Sequence, residues 1–348
     1  MRPTVFAAVL ALSAAATVPA ALAQTGPYQI LQTVKVGGPG GWDYVAADSA
    51  ERRLYIARSG PTGSIHVYNL DTLAEIGNIP GINAHGAAID NASHRGFATS
   101  EGVAMFDTKT LAVLKPSLDV AGNPDGYLAD RFTHHVYILS HTAPNVTVLD
   151  AADGAKLGTI DLGGAPEQAV VDGKGHLYID IEDKSSIAVV DTASLKVLRT
   201  IDVSSVGGGC AGLAMDTKHD ILFATCREKH NMIIVNAADG KILTTLPTGV
   251  GSDGAVFNPA TMEAFSTQGD GTLTVVKETS PTTFVVEQTV TTPVRARTLT
   301  LDEKTGHIIT VTAEYAAPTA PATPPIPGAR PPRAPMIPDT FKIIVIGK

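Results

Sequence analysis

A sevenfold internal repeat constrains the fold of this chain more than any other feature. A period of 40–44 residues aligns seven polar anchors, which are Asp48, Asp90, Asp130, Asp172, Asp216, Asn258 and Asp302. A large apolar residue follows each anchor by six or seven positions, in the order Tyr55, Phe97, Tyr137, Tyr178, Phe223, Phe265 and Ile309. Repeats of this length, each containing four short apolar runs, are typical of β-propellers.

The local sequence agrees with strands rather than helices. The apolar runs are short and rich in Val, Ile and Thr, and the chain contains 33 glycines and 23 prolines. The last repeat ends at "FKIIVIGK" without a fourth strand, whereas a lone strand, "PYQILQTVKVGG" (27–38), precedes the first repeat. We therefore expect an all-β, seven-bladed propeller with four-stranded blades, in which the N-terminal strand completes the last blade and removes an open sheet edge.

The first 23 residues have the pattern of a secretory signal peptide. One arginine precedes an apolar stretch that ends in Ala21-Leu22-Ala23, which predicts cleavage before Gln24. Residues 24–348 should then form a single propeller, soluble and without a membrane span, in the periplasm or outside the cell. We also expect this protein to be a monomer.

The charge of the chain disfavours nucleic acid as a partner. The formal net charge is −8, and removal of a leader that contains only Arg2 as a charged residue leaves −9. The sequence also lacks a Lys/Arg run of the kind that phosphate backbones require.

The position five residues before each anchor is the strongest candidate for function. Around the ring it holds Asp43, His85, Asp125, Glu167, Ala211, Asp253 and Arg297. In a propeller the innermost strands run along the central channel, so these side chains should meet at the channel mouth on the top face. Like charges so close together require a raised pKa or a bound cation. The alternative is a solvated rim in which Arg297 neutralises Asp43 or Asp253.

Loops that connect the second and third strands open on the same face. They add more peripheral candidate ligand-binding residues, namely Arg58, Glu101, His141, Glu182, Arg227 and Gln268. Trp42, the only tryptophan, precedes Asp43 and would either stack on a ligand or pack beneath a loop.

Blade 7 carries a long proline-rich insertion, residues 315–340, with nine prolines among 26 residues. It predicts an extended, polyproline-like loop above the channel mouth. Arg330 and Arg333 on this loop would reach toward the carboxylates, or else the segment is a surface or docking element.

The two cysteines, Cys210 and Cys226, occupy the first and second strands of blade 5. A hairpin that folds about residues 218–219 places them nearly opposite each other. In an exported protein this predicts a structural disulfide.

Two stretches, "HHVYILSHTAPNVTVLDAADGAKLGTIDLGGAP" and "GHLYIDIEDKSSIAVVDTASLKVLRTIDV", resemble the YVTN-type repeats of YncE-like bacterial propellers. The resemblance covers about residues 41–315 and implies the propeller fold, but its motif is a blade rather than a site. Lys277 in blade 6, where other repeats have Asp, and the insertion in blade 7 depart from the pattern.

A weaker resemblance concerns gluconolactonase-type propellers. "NPDG" (123–126), "SDG" (252–254) and Glu167 in "APEQ" look like the segments that hold a divalent cation at the channel mouth of those enzymes. The family's asparagine ligand is missing here. If the mouth holds a cation, its oxygen ligands would come from Asp43, Asp125, Glu167 and Asp253, which favour Ca²⁺, Mg²⁺ or Mn²⁺, whereas His85 tilts the choice toward Mn²⁺ or Zn²⁺. His85 or Glu167 is then the candidate general base.

Two classes of function follow from the sequence. The first is an exported propeller that binds a small ligand or a protein partner at its top face. The second is a metal-dependent hydrolase, lactonase or lyase. "GVGSDG" (249–254) matches a dinucleotide-binding pattern, but it leads into a strand and not a helix, so a nucleotide cofactor is not predicted.

Overall fold

Each repeat folds into a four-stranded antiparallel sheet, and seven such sheets form the blades of a β-propeller. The structure is a computed structural model that describes residues 26–60, 63–317 and 334–348. The strands are apolar on both faces because neighbouring blades cover both sides of each sheet. The predicted fold class is confirmed.

The strands are numbered along the chain. The first is β1 (Gln29–Lys35). Blades 1 and 2 contain β2 (Gly41–Asp48), β3 (Arg53–Ser59), β4 (Ser64–Asn69), β5 (Glu75–Pro80), β6 (Gly86–Asp90), β7 (Arg95–Thr99), β8 (Val103–Asp107) and β9 (Val113–Leu118). Blades 3 and 4 contain β10 (Pro124–Asp130), β11 (His135–Ser140), β12 (Val146–Asp150), β13 (Lys156–Ile160), β14 (Pro166–Val171), β15 (His176–Ile181), β16 (Ser186–Asp191) and β17 (Lys196–Asp202).

The remaining strands form blades 5 to 7. Blade 5 contains β18 (Cys210–Asp216), β19 (Ile221–Cys226), β20 (Asn231–Asn236) and β21 (Ile242–Pro247). Blade 6 contains β22 (Ser252–Asn258), β23 (Glu263–Gln268), β24 (Thr272–Ser280) and β25 (Thr283–Thr291). Blade 7 contains β26 (Leu299–Asp302), β27 (His307–Thr312) and β28 (Lys342–Gly347). A 3₁₀ turn, Glu182–Lys184, follows β15.

The two ends of the chain close the ring. In the seventh sheet the strand order is β1-β28-β27-β26, so the N-terminal strand is the outer strand of the last blade. β1 and β28 are antiparallel, with pairs that run from Gln29 with Gly347 to Lys35 with Lys342. The expected closure is therefore observed.

The core lies between adjacent blades. The seven large apolar residues of the repeat, one from each second strand, are at most 4% exposed. One apolar cluster, for example, joins blade 1 to blade 7 through Leu54, Ile56, Ile343 and Phe341. Because the first strands of neighbouring blades contact one another around the ring, the channel is bordered by β2, β6, β10, β14, β18, β22 and β26.

The repeated anchors stabilise turns, as turn chemistry predicts. Asp48 accepts hydrogen bonds from the backbone N–H groups of Ala50 and Glu51, at 3.1 and 3.0 Å. The other six anchors make comparable bonds to a backbone N–H two or three residues later. These side chains therefore stabilise the turns of the repeat.

The predicted disulfide is present between Cys210 and Cys226, which are paired residues at the ends of β18 and β19.

The predicted leader, residues 1–23, lies outside the described residues. So do Arg330, Arg333 and most of the proline-rich insertion, although its two ends meet where Tyr315 bridges to Met336. Within the described part of the chain, no helix has the length and apolar character needed to cross a membrane.

Deletion of residues 24–38 should destabilise the protein or make it aggregate. It removes β1 and leaves β28 with an unpaired edge, which can template intermolecular pairing. It also removes Tyr28, whose backbone N–H donates to Gln288 at 2.9 Å. Deletion of residues 24–26 alone keeps Tyr28 and β1 and serves as the control. A truncated 39–348 protein that remains monomeric with an unchanged melting temperature would contradict the closure of the ring by β1.

Removal of the disulfide should lower the free energy of unfolding by about 3 kcal/mol, the entropic value for a loop of roughly 15 residues. The two cysteines are 16 residues apart. Urea unfolding of the double variant Cys210→Ala/Cys226→Ala measures the loss. Denatured, unreduced wild type should show no reactive thiol, and reduction should expose two. Equal unfolding free energies for wild type and variant would contradict a stabilising role.

Candidate functional site at the channel mouth

β-Bulges aim side chains into the channel mouth. The pairing between the first and second strands shifts register in five blades, at Trp42/Val45, Pro124/Tyr127, Pro166/Ala169, Cys210/Gly212 and Ser252/Ala255. The position five before the anchor lies within each shift, and it holds Asp43, Asp125, Glu167, Ala211 and Asp253. His85 and Arg297 lie just before β6 and β26. Bulges commonly redirect side chains beside functional sites.

The redirected side chains surround one cavity of about 360 Å³. Its lining residues are Asp43, Tyr44, Asp125, His141, Glu167, Glu182, Arg227, Asp253 and Arg297. His85, which belongs to blade 2, contacts Asp43 of blade 1 and Asp125 of blade 3. The structure therefore brings together all six ionisable residues predicted at the channel mouth, together with His141, Glu182 and Arg227 from the peripheral loops.

On one side of the cavity the charges are paired. Arg227 lies 2.5 Å from Glu182, measured from Nη1 to Oε1, and its Nη2 contacts Asp253. Arg297 contacts the other oxygen of Asp253 through Nη1. Asp253, a predicted metal ligand, thus has its charge balanced by two guanidinium groups. Such charge-assisted pairs hold the arginines in place and leave Asp253 poorly available to a cation.

On the other side, Asp43 and Asp125 share one imidazole. His85 Nδ1 lies 3.1 Å from Oδ2 of Asp43 and 3.2 Å from Oδ1 of Asp125. The hydrogen bond to Asp43 raises the pKa of His85. Burial, followed by the nearby charge of Asp43, raises the pKa of Asp125. Among the described residues, the guanidinium nearest to Asp43 is that of Arg297, 4.0 Å away, so the described part of this side has a surplus of negative charge.

The surroundings of Glu167 favour its uncharged form. Its side chain is only 11% exposed, and burial and the adjacent Glu182 raise its pKa to about 9, although Arg227 opposes the shift. His141 lies between Glu167 and Asp125, with Nε2 at 3.8 and 3.6 Å from their carboxylate oxygens. A protonated carboxyl can donate a hydrogen bond or a proton, which a carboxylate cannot.

Two tyrosines and a glutamine support the cavity from below. The ring of Tyr44, which lines the cavity, packs edge-on against Tyr127 at 5.5 Å between centroids. Gln168 accepts hydrogen bonds from the backbone N–H groups of Leu213 and Ala255, each at 3.0 Å, and so links blades 4, 5 and 6. The repeat carries no signal for these three residues. Tyr44 and Gln168 directly follow Asp43 and Glu167, and Tyr127 lies two residues after Asp125, at positions that are not polar or aromatic in every blade.

Three of the predicted loop residues lie outside this cavity. Arg58 is buried and donates to backbone carbonyls of the Gly37–Gly41 loop, and its guanidinium stacks 3.7 Å above the ring of Phe341. Gln268 is buried and accepts from the hydroxyls of Thr272 and Thr274. Glu101 is exposed in its loop. The first two stabilise the fold.

Trp42 packs beneath the base of the proline-rich insertion. Its ring centroid is 5.1 Å from that of Phe341 and 6.2 Å from that of Tyr315. It also lines a neighbouring cavity of about 700 Å³ that shares Arg227, Asp253 and Arg297 with the channel mouth. An aromatic surface therefore adjoins the charged cavity.

No family model matches this sequence, and no curated protein matches it significantly. Solved structures share the fold. A chain in the crystal structure of the mitotic checkpoint complex is 13% identical with a TM-score of 0.69, covering 89% of this chain and 96% of that one. The RRP9 WD40 repeats are 10% identical with a TM-score of 0.70, covering 93% of this chain and 99% of that one. U3-55K is also 10% identical with a TM-score of 0.70, covering 91% of this chain and 98% of that one. Such low identities establish the β-propeller fold alone.

The raised pKa of Glu167 predicts a specific dependence of stability on pH. The folded state holds this proton up to about pH 9, whereas an unfolded glutamate releases it near pH 4.3. The free energy of unfolding should therefore fall as pH rises between these values. Glu167→Gln stays uncharged and should show a flatter profile, with its largest stability gain over wild type near pH 9. Melting curves from pH 5 to 9 test this, and parallel profiles would contradict it.

Proposed function

We propose that the channel mouth binds a small cationic ligand. The observation that carries this proposal is the pair formed by Asp43 and Asp125. They converge from blades 1 and 3 and share the imidazole of His85. Their other charged or titratable neighbours are more distant, with His141 3.6 Å from Asp125 and Arg297 4.0 Å from Asp43, whereas Glu182 and Asp253 are in direct contact with guanidinium groups. A ligand with positive charge would compensate the pair directly.

The charge balance of the cavity also favours a positively charged ligand. With Glu167 protonated, the lining carboxylates that remain are Asp43, Asp125, Glu182 and Asp253, and the guanidinium groups are those of Arg227 and Arg297. Four negative and two positive charges leave two negative charges. A protonated His85 reduces this surplus to one. Because a partly buried cavity screens charge less than water does, the surplus attracts a cation.

The shape of the site indicates the class of ligand. The charged cavity of about 360 Å³ adjoins the larger one bordered by Trp42 and Tyr315. A small organic amine or ammonium compound with an apolar part would place its charge between the two aspartates and its apolar part against the indole. Indole rings also attract cations.

The second candidate function is metal-dependent hydrolysis, including lactone hydrolysis. It is favoured by one observation: ligand atoms of Asp43, His85 and Asp125 all lie within 4.8 Å of one another. Two carboxylates and one imidazole fit Mn²⁺ or Zn²⁺ better than Ca²⁺ or Mg²⁺. This set differs from the predicted one, because Asp253 is ion-paired and His85 becomes a ligand rather than a general base.

In that case the bound ion would polarise a substrate carbonyl and acidify a bound water molecule. The protein would contribute Glu167, which holds a proton beside the site up to about pH 9 and is placed to protonate a leaving group.

We also propose that the protein is an exported, YncE-like propeller that acts as a monomer in the periplasm. The disulfide between Cys210 and Cys226 supports an oxidising compartment. The described ends of the proline-rich insertion lie beside the mouth, because Tyr315 and Met336 line the adjoining cavity.

Thermal melts with added cations test the proposal. We expect putrescine or choline to raise the melting temperature of wild type, since a ligand at 100 times its Kd stabilises by about 2.7 kcal/mol. The double variant Asp43→Asn/Asp125→Asn keeps side-chain size and should lose this shift. Glu101→Gln, an exposed charge change outside the cavity, should keep it.

The same assay separates the two candidates. A shift caused by Mn²⁺ or Zn²⁺, reversed by EDTA and lost in the double variant, would favour the metal-dependent hydrolase, and turnover of simple lactones would then be measured. If neither the amines nor the metals shift the wild type in a manner that depends on Asp43 and Asp125, the cation-binding proposal is wrong.

A further inference from the structure

We propose that Asp216, His219 and Glu278 form a second, independent site that binds one transition-metal ion of the Zn²⁺ class and links blade 5 to blade 6. Asp216 and His219 belong to the turn between β18 and β19, on the face opposite the channel mouth. Glu278 lies in β24 of the next blade. An ion held by all three would connect the two blades directly.

Two departures from the repeat coincide at this point. In blades 2, 3 and 7 the residue three after the anchor is a small hydroxyl residue, and Ser93, Thr133 and Thr305 donate to their own anchors at 2.6–2.7 Å. Blade 5 has His219 instead, which extends to the adjacent blade.

The second departure is Glu278 itself. Its backbone N–H bonds to the carbonyl of the preceding hairpin turn, as do those of its counterparts in the first five blades. Those counterparts are apolar or small uncharged residues, namely Leu70, Thr108, Ala151, Thr192 and Ala237. Blade 6 alone among these places a carboxylate at this buried position.

The distances suit a shared ion. Nδ1 of His219 lies 2.6 Å from Oδ2 of Asp216 and 2.8 Å from Oε1 of Glu278. The three ligand atoms all lie within 4.8 Å of one another. Small side-chain rotations would seat an ion at the usual distance of roughly 2.0–2.2 Å from each ligand, and one imidazole with two carboxylates is a zinc-type donor set. His219 is 25% exposed, which leaves room for water as a further ligand.

The two carboxylates are incompletely satisfied within the protein. Their side chains are each only 1% exposed. Oε2 of Glu278 has no hydrogen-bond partner among the described residues, and Oδ2 of Asp216 lies near the imidazole without hydrogen-bond geometry. Nor does any described lysine or arginine form an ion pair with either group. Buried, unpaired carboxylate oxygens are costly unless a cation compensates them.

Zinc titration of untagged, EDTA-treated and dialysed protein tests this site, with Zn²⁺ as the probe. The two cysteines are joined in a disulfide and do not compete as thiolates. Glu278→Ala introduces the alanine that blades 3 and 5 have at the equivalent position, and His219→Ser introduces the serine of blade 2. Both variants therefore agree with the repeat. We expect each to weaken this Zn²⁺ site at least about 100-fold, because loss of even an outer-shell partner costs roughly 10–100-fold.

Two controls separate this site from other sources of zinc binding. His176→Ser removes a turn histidine that pairs with Asp172 alone, at 2.7 Å, and should leave binding unchanged. Asp43→Asn/Asp125→Asn alters the channel mouth and should also retain this site, so the failure of one proposal is distinguishable from the failure of the other.

The number of zinc equivalents bound by each variant decides the outcome. If Glu278→Ala and His219→Ser fold with unchanged circular dichroism and each loses one equivalent of Zn²⁺ relative to wild type, the site is supported. If Glu278→Ala does not fold, Glu278→Gln, which keeps the size of the side chain, is titrated instead. Folded variants that bind Zn²⁺ as wild type does, or a wild type whose zinc binding is abolished by the channel-mouth variant alone, would overturn the proposal.

Discussion

Pairing between the two ends of the chain is the interaction on which the remaining structure depends. β1 and β28 complete the seventh sheet, so every blade has four strands and the seven first strands are held around one channel. Lys348 adds to this closure through an ion pair with the buried Glu263 at 2.8 Å. Only in a closed ring do residues more than 200 positions apart, such as Asp43 and Arg297, become neighbours.

The bulges convert this scaffold into a site. In a regular strand the side chains alternate between the two faces, and both faces of a blade are covered. A bulge gives Asp43, Asp125, Glu167 and Asp253 a third direction, toward the channel. The resulting density of charge is reduced in two ways, through the arginine pairs of Asp253 and through the proton that Glu167 retains. Asp43 and Asp125 remain the channel-mouth carboxylates whose negative charge is least compensated.

The fold was predictable because the repeat specifies each blade separately and the missing fourth strand specifies how the ring closes. The channel-mouth residues were predictable for the same reason, since one position in the repeat maps to one place on the channel. The pair of Arg297 with Asp253 was one alternative that the sequence offered. The pairs of Arg227 with Glu182 and Asp253 were not predictable, because they depend on distances between blades. Arg58 shows the limit: nothing in the sequence indicates that its guanidinium stabilises the glycine-rich loop 37–41 through backbone carbonyls. Tyr44 was missed because its position in the repeat carries no common chemistry.

The sign of the charge that the channel mouth accepts can be measured in one diffraction experiment. Crystals soaked in manganese(II) bromide contain an anomalously scattering cation and an anomalously scattering anion, and data collected at the two absorption edges locate each separately. We expect a manganese peak between Asp43, His85 and Asp125, with no bromide in the cavity, because the arginines there are paired with carboxylates. Bromide bound to Arg227 and Arg297 with no manganese at the mouth would contradict a cation-binding channel mouth.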